Sequence, residues 1–216
     1  MFTAIDYDTW DRKEIYERWL GFTYTVTVEM DVTDFLRQLR EKNRKFYPAV
    51  CWIIAKTVND DEDFRFARIN GQLGQFDSLN PNYTLRRKRP PHLFTHMETQ
   101  YSEDFEEFYQ AFLADKIKAE DGDSVYYYKN PRINTIDISI TPNIIFQSIS
   151  YDRPPQFLDM DAAETKFTPF VTVGKYHQVD ERVVMPVTAA FHHCVNDGAH
   201  VEKFFSSFAE NLNVGV

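Results

Sequence analysis

Residues 49–58, Ala-Val-Cys-Trp-Ile-Ile-Ala-Lys-Thr-Val, are apolar on nearly every side of the helix they would form. Phe46-Tyr47-Pro48 leads into them, and proline suits a first helical turn. A helix with such a surface has no face for water, so the chain must build its other elements around it. The 216 residues are enough for one full-sized domain over positions 1–216. Hydrophobic residues make up 43% and aromatics 16%, with 19 Phe and 12 Tyr, which is area enough for a substantial core or an apolar pocket. Disorder is excluded by the same figures.

The segments around that helix come in irregular order. Asp8 or Thr9 is placed to cap a helix through Trp10–Leu20, with Trp10, Ile15 and Trp19 near one face. Residues 23–32 are rich in β-branched side chains and predict a long strand. Thr33 then caps an amphipathic helix over 34–42. Residues 64–69 and 72–76, joined by Asn70-Gly71, predict a β-hairpin. Tyr83–Leu85 continues the sheet, and 103–118 forms a helix. Strands follow near 135–140, 144–151, 169–176 and 182–191, a Pro- and Asp-rich loop or lid lies over 152–166, and a helix over about 200–211 ends the chain. No internal repeat appears. Without regular βαβ alternation, the fold class is α+β, a mixed sheet with helices packed on it.

Charge and cysteine usage bound the function. There are 24 basic and 33 acidic residues, a net charge of −9, which argues against nucleic-acid binding. The dense basic run Arg86-Arg87-Lys88-Arg89 reads as a solvated loop. Cys51 and Cys194 give neither a disulfide framework nor a metal motif, and read as small buried hydrophobes. The N-terminus lacks a leader pattern, and no window approaches the ~18 apolar residues of a membrane span. The expectation is a soluble, cytoplasmic protein with no membrane partner.

Chemistry concentrates in Phe191-His192-His193-Cys194-Val195-Asn196-Asp197-Gly198-Ala199-His200. A strongly apolar strand delivers two histidines to its end, where a turn hands over to a helix. A neutral imidazole is the usual general base near pH 7. The plainer reading is structural: Asn196 or Asp197 caps the helix, Gly198 eases the turn, and the histidines are half-buried. Spacing alone tilts toward that plainer reading. A metal site from His192 or His193, Asp197 and His200 is a further alternative. Adjacent histidines on a strand point to opposite faces, which argues against it.

The wider pattern is specific. His192-His193 with Asp197-Gly198 resembles the H-H-x-x-x-D-G signature of chloramphenicol acetyltransferases, whose H-x-x-x-D-G core dihydrolipoamide acyltransferase catalytic domains share. Trp10-Asp-Arg12-Lys13-Glu14 resembles W-x-R-K-E, Phe22-Thr-Tyr24-Thr-Val-Thr-Val resembles C-T-Y-x-x-T-V apart from its cysteine, and Phe46-Tyr47-Pro48-Ala49 matches F-Y-P-A. Glu62-Asp63-Phe64-Arg65 resembles E-F-R, Phe76-Asp77-Ser78 the Trp/Tyr-Asp-Ser of the family, and Val171-Thr172-Val173-Gly174-Lys175-Tyr176 the segment F-T-M-G-K-Y. The matches run in order over nearly the whole chain.

The resemblance implies a homotrimeric, metal-free acetyltransferase that uses acetyl-CoA to acetylate a hydroxyl of chloramphenicol, an antibiotic-resistance activity, at active sites between subunits. It assigns the general base to His193. Asp197 becomes a structural partner of Arg18, the arginine expected in the N-terminal helix. Ser148, in Phe146-Gln147-Ser148, corresponds to an oxyanion donor of an F-x-S segment, and Thr172 assists there through water. Lys175 and Tyr176 correspond to residues lining the coenzyme A tunnel, and Tyr24 to an acceptor-pocket aromatic beside the catalytic imidazole. Two stretches depart from the family: Ile149-Ser150-Tyr151-Asp152, where F-[ND]-L-N is usual, and 85–96, where V-F-H-x-x-T-E-T-F-S is usual. They leave open a same-fold acyltransferase with another hydroxylated acceptor. A catalytically silent trimeric scaffold is the third reading, and the intact set of His193, Asp197, Arg18 and Ser148 speaks against it.

Overall fold

The wrapped helix is α3 (Phe46–Asn59), in which every residue from Pro48 to Val58 except Lys56 is buried. The computed structural model describes residues 1–90, 92–151 and 164–216. Before α3 come β1 (Phe2–Ala4), α1 (Lys13–Trp19), β2 (Thr23–Asp31) and α2 (Thr33–Glu41). After it come a 3₁₀ turn (Glu62–Phe64), β3 (Phe66–Ile69), β4 (Gln72–Phe76), β5 (Asn80–Arg86), β6 (Phe94–Glu98), α4 (Phe105–Glu120) and β7 (Thr135–Ile140). The described chain closes with β8 (Glu164–Lys166), β9 (Phe170–Val173), β10 (His177–Val179), β11 (Arg182–His192) and α5 (Gly198–Asn211).

The larger sheet runs β2-β11-β9-β7-β5-β6, with β10 on the β9 side of β11; β7 is parallel to β5 and β9, and the other pairs are antiparallel. Alternation gives this sheet two unlike faces. Tyr83, Met97, Ile138, Val171, Val187, Ala189 and Phe191 point into the core that α3 shares. The other face carries a hydroxyl row, Thr27, Thr188, Thr172 and Ser139 in register, and beside it Glu98, Asn82 and Asp137. A smaller sheet, β1-β4-β3-β8, stands beside α1 over a second cluster of Tyr16, Phe66, Leu73, Phe167, Cys194 and Val195. That cluster takes in the chain just after β11, so the small sheet serves as its seat.

The α+β expectation holds, and the hairpin turn is formed at Asn70 and Gly71 with φ of 51° and 80°, as a tight turn between β3 and β4 requires. Both cysteines are free and buried. Several local expectations fail for physical reasons. The first helix starts at Lys13, so Trp10 is not on its face; Tyr16 is its buried residue and Ile15 is exposed. Thr33 does not cap α2: its hydroxyl donates to Asp31 Oδ1 at 2.6 Å and accepts from the Val183 backbone N–H at 2.8 Å. No strand forms over 144–151, because β7 already has β5 and β9 on its two sides and the chain leaves the sheet at Pro142. β6, not expected from sequence, pairs with β5 across the Pro-rich 87–93 connection. The expected 152–166 loop lies outside the described residues up to 163, and its last three residues are β8. No helix among the described residues is long and apolar enough to cross a membrane.

Candidate active site

The end of β11 builds the site. After His192 the chain turns sharply, with the Val195 and Asn196 N–H groups donating to the His192 carbonyl at 3.1 and 2.9 Å. Cys194, Val195 and Asn196 are fully buried, which fixes the turn against the second cluster. Strand alternation sends the two histidines apart. The His192 ring meets the edge of Phe167 at 5.4 Å. The His193 ring lies flat on Trp19, with centroids 4.6 Å apart and planes at 16°, and meets Tyr24 edge-on at 5.3 Å. Its backbone N–H donates to the Phe22 carbonyl at 2.9 Å, extending the β2–β11 ladder by one step. His193 Nδ1 is sealed from solvent without a hydrogen-bond partner among the described residues. Tyr24 donates from its hydroxyl to the Asn196 carbonyl at 3.2 Å, and burial pushes its pKa up.

Asp197 ends the turn and caps α5. Its Oδ1 accepts from the Ala199 N–H at 3.2 Å and lies 2.9 Å from His200 Nδ1; its Oδ2 accepts from Arg12 Nη1 at 2.9 Å. Partial burial opposes the charge, but the hydrogen bonds from Arg12 and His200 prevail and hold the carboxyl pKa at about 2. Asn196 adds a tie, donating from Nδ2 to the Asp63 carbonyl at 3.0 Å. Gly198 has open space where a Cβ would stand, so the chain's own packing does not demand glycine there.

The ion pair expected from Arg18 is made by Arg12 instead. Arg18 is exposed and makes no ion pair among the described residues, because α1 starts three residues after Trp10 and turns Arg18 outward. Arg12, in the Trp10-Asp-Arg12 motif, stands at the helix entrance facing α5. Two contributors escape a reading of motifs: Trp19, taken as an ordinary helix-face residue, and His200, weighed only as a metal ligand. Both ring nitrogens of His200 face carboxylates, Asp197 Oδ1 at 2.9 Å and Asp63 Oδ2 at 3.6 Å.

The remaining candidates form a second group. Thr172 is fully buried, and its hydroxyl lies 2.6 Å from that of Tyr151. Gly174 is required by close approach: a Cβ there would stand 2.7 Å from Pro186 Cγ and 2.8 Å from the Phe146 ring. The next residue, Lys175, donates its backbone N–H to the Ile144 carbonyl at 2.8 Å. The segment carrying Ser148 is thus docked at both ends, while Ser148 itself is exposed. Tyr176, 41% exposed, packs on Phe46 at 5.4 Å, and Lys175 is open to solvent beside it. Thr172 pairs with Thr188, five residues before His193, so the two groups stand roughly 16 Å apart along β11. One chain does not bring Ser148 and Thr172 to His193.

This architecture is the fold of chloramphenicol acetyltransferases and dihydrolipoamide acetyltransferase catalytic domains. A solved chloramphenicol acetyltransferase superposes with a TM-score of 0.83 at 23% identity, covering 99% of this chain and 100% of that one. The dihydrolipoamide acetyltransferase of Azotobacter vinelandii superposes with a TM-score of 0.66 at 15% identity, covering 93% and 86%. The sequence pattern of the chloramphenicol acetyltransferase family matches residues 1–209. Chloramphenicol acetyltransferases of Clostridium perfringens and Staphylococcus aureus are each 32% identical to this chain, over 97% and 98% of it and 94% and 96% of their own length. The chain belongs to the chloramphenicol acetyltransferase family.

Proposed function

We propose that the protein transfers acetyl from acetyl-CoA to a hydroxyl of chloramphenicol, in the cytoplasm and as a homotrimer, and so inactivates the drug. His193 is the general base. With Nδ1 held against protein, Nε2 is the ring atom left to take the hydroxyl proton as the oxygen attacks the thioester carbonyl. Collapse of the tetrahedral adduct breaks the C–S bond, and the leaving thiolate recovers the proton from the imidazolium. Direct transfer follows, with no acyl-enzyme.

The observation that carries this reading is the division of the site. The base stands at one end of β11, and the hydroxyl donors, Ser148 and Thr172, stand near its middle with their own docked segment. A symmetric ring of copies sets the His193 end of one chain against the Ser148 face of the next, which completes the set. The polar sheet face supports such an assembly: among the described residues Asn82 Oδ1 and Glu98 Oε2 are buried there without hydrogen-bond partners, the nearest cation to Oε2 being Arg132 Nε at 4.0 Å, and burial raises the Glu98 pKa. Lys175, an exposed cation, and Tyr176, a half-open ring, suit the phosphates and adenine of coenzyme A. Ser148 then donates to the oxyanion, and Tyr24 borders the acceptor.

The test is thiol release from acetyl-CoA on adding chloramphenicol, with sedimentation of the same sample. Release at enzymatic rates by a trimer is the expected result. A trimer that releases thiol only with other hydroxylated compounds moves the acceptor assignment, and a monomer with full activity overturns the shared site.

A further inference from the structure

The Asp197 carboxylate is gripped from two sides, and Arg12 supplies one of them. The other grip is His200, at the third position of α5. It stands at the capping-box position of α5, from which a third residue reaches back toward the N-cap. Glutamate or glutamine usually fills that role; here a ring does. Its Nδ1 lies 3.2 Å from the Asp197 backbone N and 2.9 Å from Asp197 Oδ1. These contacts ask opposite things of one atom. The backbone N–H needs a lone pair, whereas the carboxylate needs a proton. The carboxylate contact is shorter and charged, and a bare lone pair facing it at 2.9 Å would be repulsive.

We infer that His200 is a positioning residue for the transfer reaction: protonated at Nδ1, it donates to Asp197 Oδ1 and sets the carboxylate so that Arg12 can take Oδ2. This inference rests on the proposed role of His193. The physical chain is short. Asp197 is four residues from His193, and the turn between them is already tied to the 3₁₀ segment through Asn196 and Asp63. His200 Nε2 faces the Asp63 carboxylate at 3.6 Å, so one ring spans α5 and the 3₁₀ turn. If the carboxylate can rotate, Arg12 loses its fixed partner and the turn loses its link to the N-terminal helix. Small misplacement of a base weighs on the chemical step far more than on ground-state binding.

Three substitutions test it. In His200→Ala, kcat should fall on the order of tenfold while KM for acetyl-CoA and chloramphenicol stays within about twofold. His200→Gln, whose amide can both donate to Oδ1 and accept from the N–H, should recover most of the loss; His200→Phe, which keeps the ring but not the donor, should not. Wild-type kcat in the alanine variant, or a glutamine variant as impaired as the phenylalanine one, overturns the inference. If alanine fails to fold, the glutamine and phenylalanine pair still decides. Nitrogen-15 spectra of the histidine rings give a readout independent of turnover. A His200 Nδ1–H signal that shifts in Asp197→Asn is expected even should the protein prove inactive on chloramphenicol. An Nε2–H tautomer at His200 overturns the brace while leaving the function assignment to the thiol-release assay.

Discussion

The turn carrying His193 and the tip of the β5–β6 hairpin are both irregular, yet they are held in opposite ways. The turn is buried and tied to distant parts of the chain: Arg12 before α1, Phe22 and Tyr24 at the start of β2, and Asp63 in the 3₁₀ turn. Among the described residues the hairpin tip is tied to one neighbour, the end of α4 and the chain just after it. The Lys88 backbone N–H donates to the Glu120 carbonyl at 2.9 Å, Arg87 Nη1 donates to the Asp123 carbonyl at 2.8 Å, and Lys88 Nζ lies 3.1 Å from Asp121 Oδ1. Last-turn carbonyls of a helix lack intrahelical donors, so a basic loop is a natural companion for them. A segment fixed from several sides resists drift at every tie, whereas one seated on a single helix end can be exchanged together with its seat. The turn carries the residues that resemble the H-H-x-x-x-D-G signature, and the hairpin lies in 85–96, one of the two stretches whose sequence departs from the usual family pattern.

The largest effect should come from the group the turn presents. His193→Ala should lower acetyl transfer by about 10²–10⁴-fold and leave acetyl-CoA binding near wild type, because a base acts in the transition state. His192→Ala, on the Phe167 side, should cost far less. Equal catalytic losses in two folded variants would mean that the base has been misassigned.

Next in size is the tie to the N-terminal helix. Arg12→Ala should lower stability by about 1.5–3 kcal/mol, the worth of a hydrogen bond to a charged group, and lower kcat with it. Arg18→Ala should match the wild type in both. The sign of the pH dependence follows from Asp197, whose pKa is lowered from 3.8 to about 2 in the folded chain. Its stabilisation is complete above roughly pH 4 and is lost as pH falls through about 2. The deficit of Arg12→Ala measured by denaturant titration should therefore be greatest near neutrality and shrink toward pH 2. A deficit that grows in acid contradicts the pairing.

The contrast also explains how much could be read from residues alone. β11 and the two histidines at its end were legible because the strongly apolar run 183–191 marks a buried strand, and adjacent side chains on a strand diverge. Tyr24 entered only through the resemblance of Phe22–Val28 to a family strand, and its ring does stand edge-on to His193 at 5.3 Å. The arginine was not legible. Two arginines six positions apart near a short helix differ in partner only through the helix's starting point, and a start at Trp10 instead of Lys13 turns the whole face. The same slip hid Trp19 as a packing residue when it is the platform under the His193 ring. Ile144–Tyr151 shows the reverse limit: strand-forming side chains make no strand when both edges of the nearest one are taken.

The smallest expected effect on rate, and the sharpest on selectivity, belongs to the hairpin. Across β6, His96 stacks on Tyr126 at 4.9 Å, and its backbone N–H donates to the Val125 carbonyl at 2.7 Å. Val125, Tyr126, Tyr127 and Tyr128 are all exposed, as are Leu93 and Phe94 on the hairpin itself. The tip and the 121–128 segment thus present apolar, aromatic side chains whose arrangement depends on the divergent residues. Replacing 86–96 with the usual family sequence removes the Arg87 and Lys88 contacts and the His96 platform together, without touching any tie to the His193 turn. The chimera should keep KM for acetyl-CoA and its intrinsic transfer rate, while the relative kcat/KM among hydroxylated acceptors changes by about tenfold, the scale set by altered apolar contacts in a pocket. A chimera with the parent's ranking of acceptors would show that this surface does not face the acceptor, and would return the departure of residues 85–96 to the packing of α4 alone.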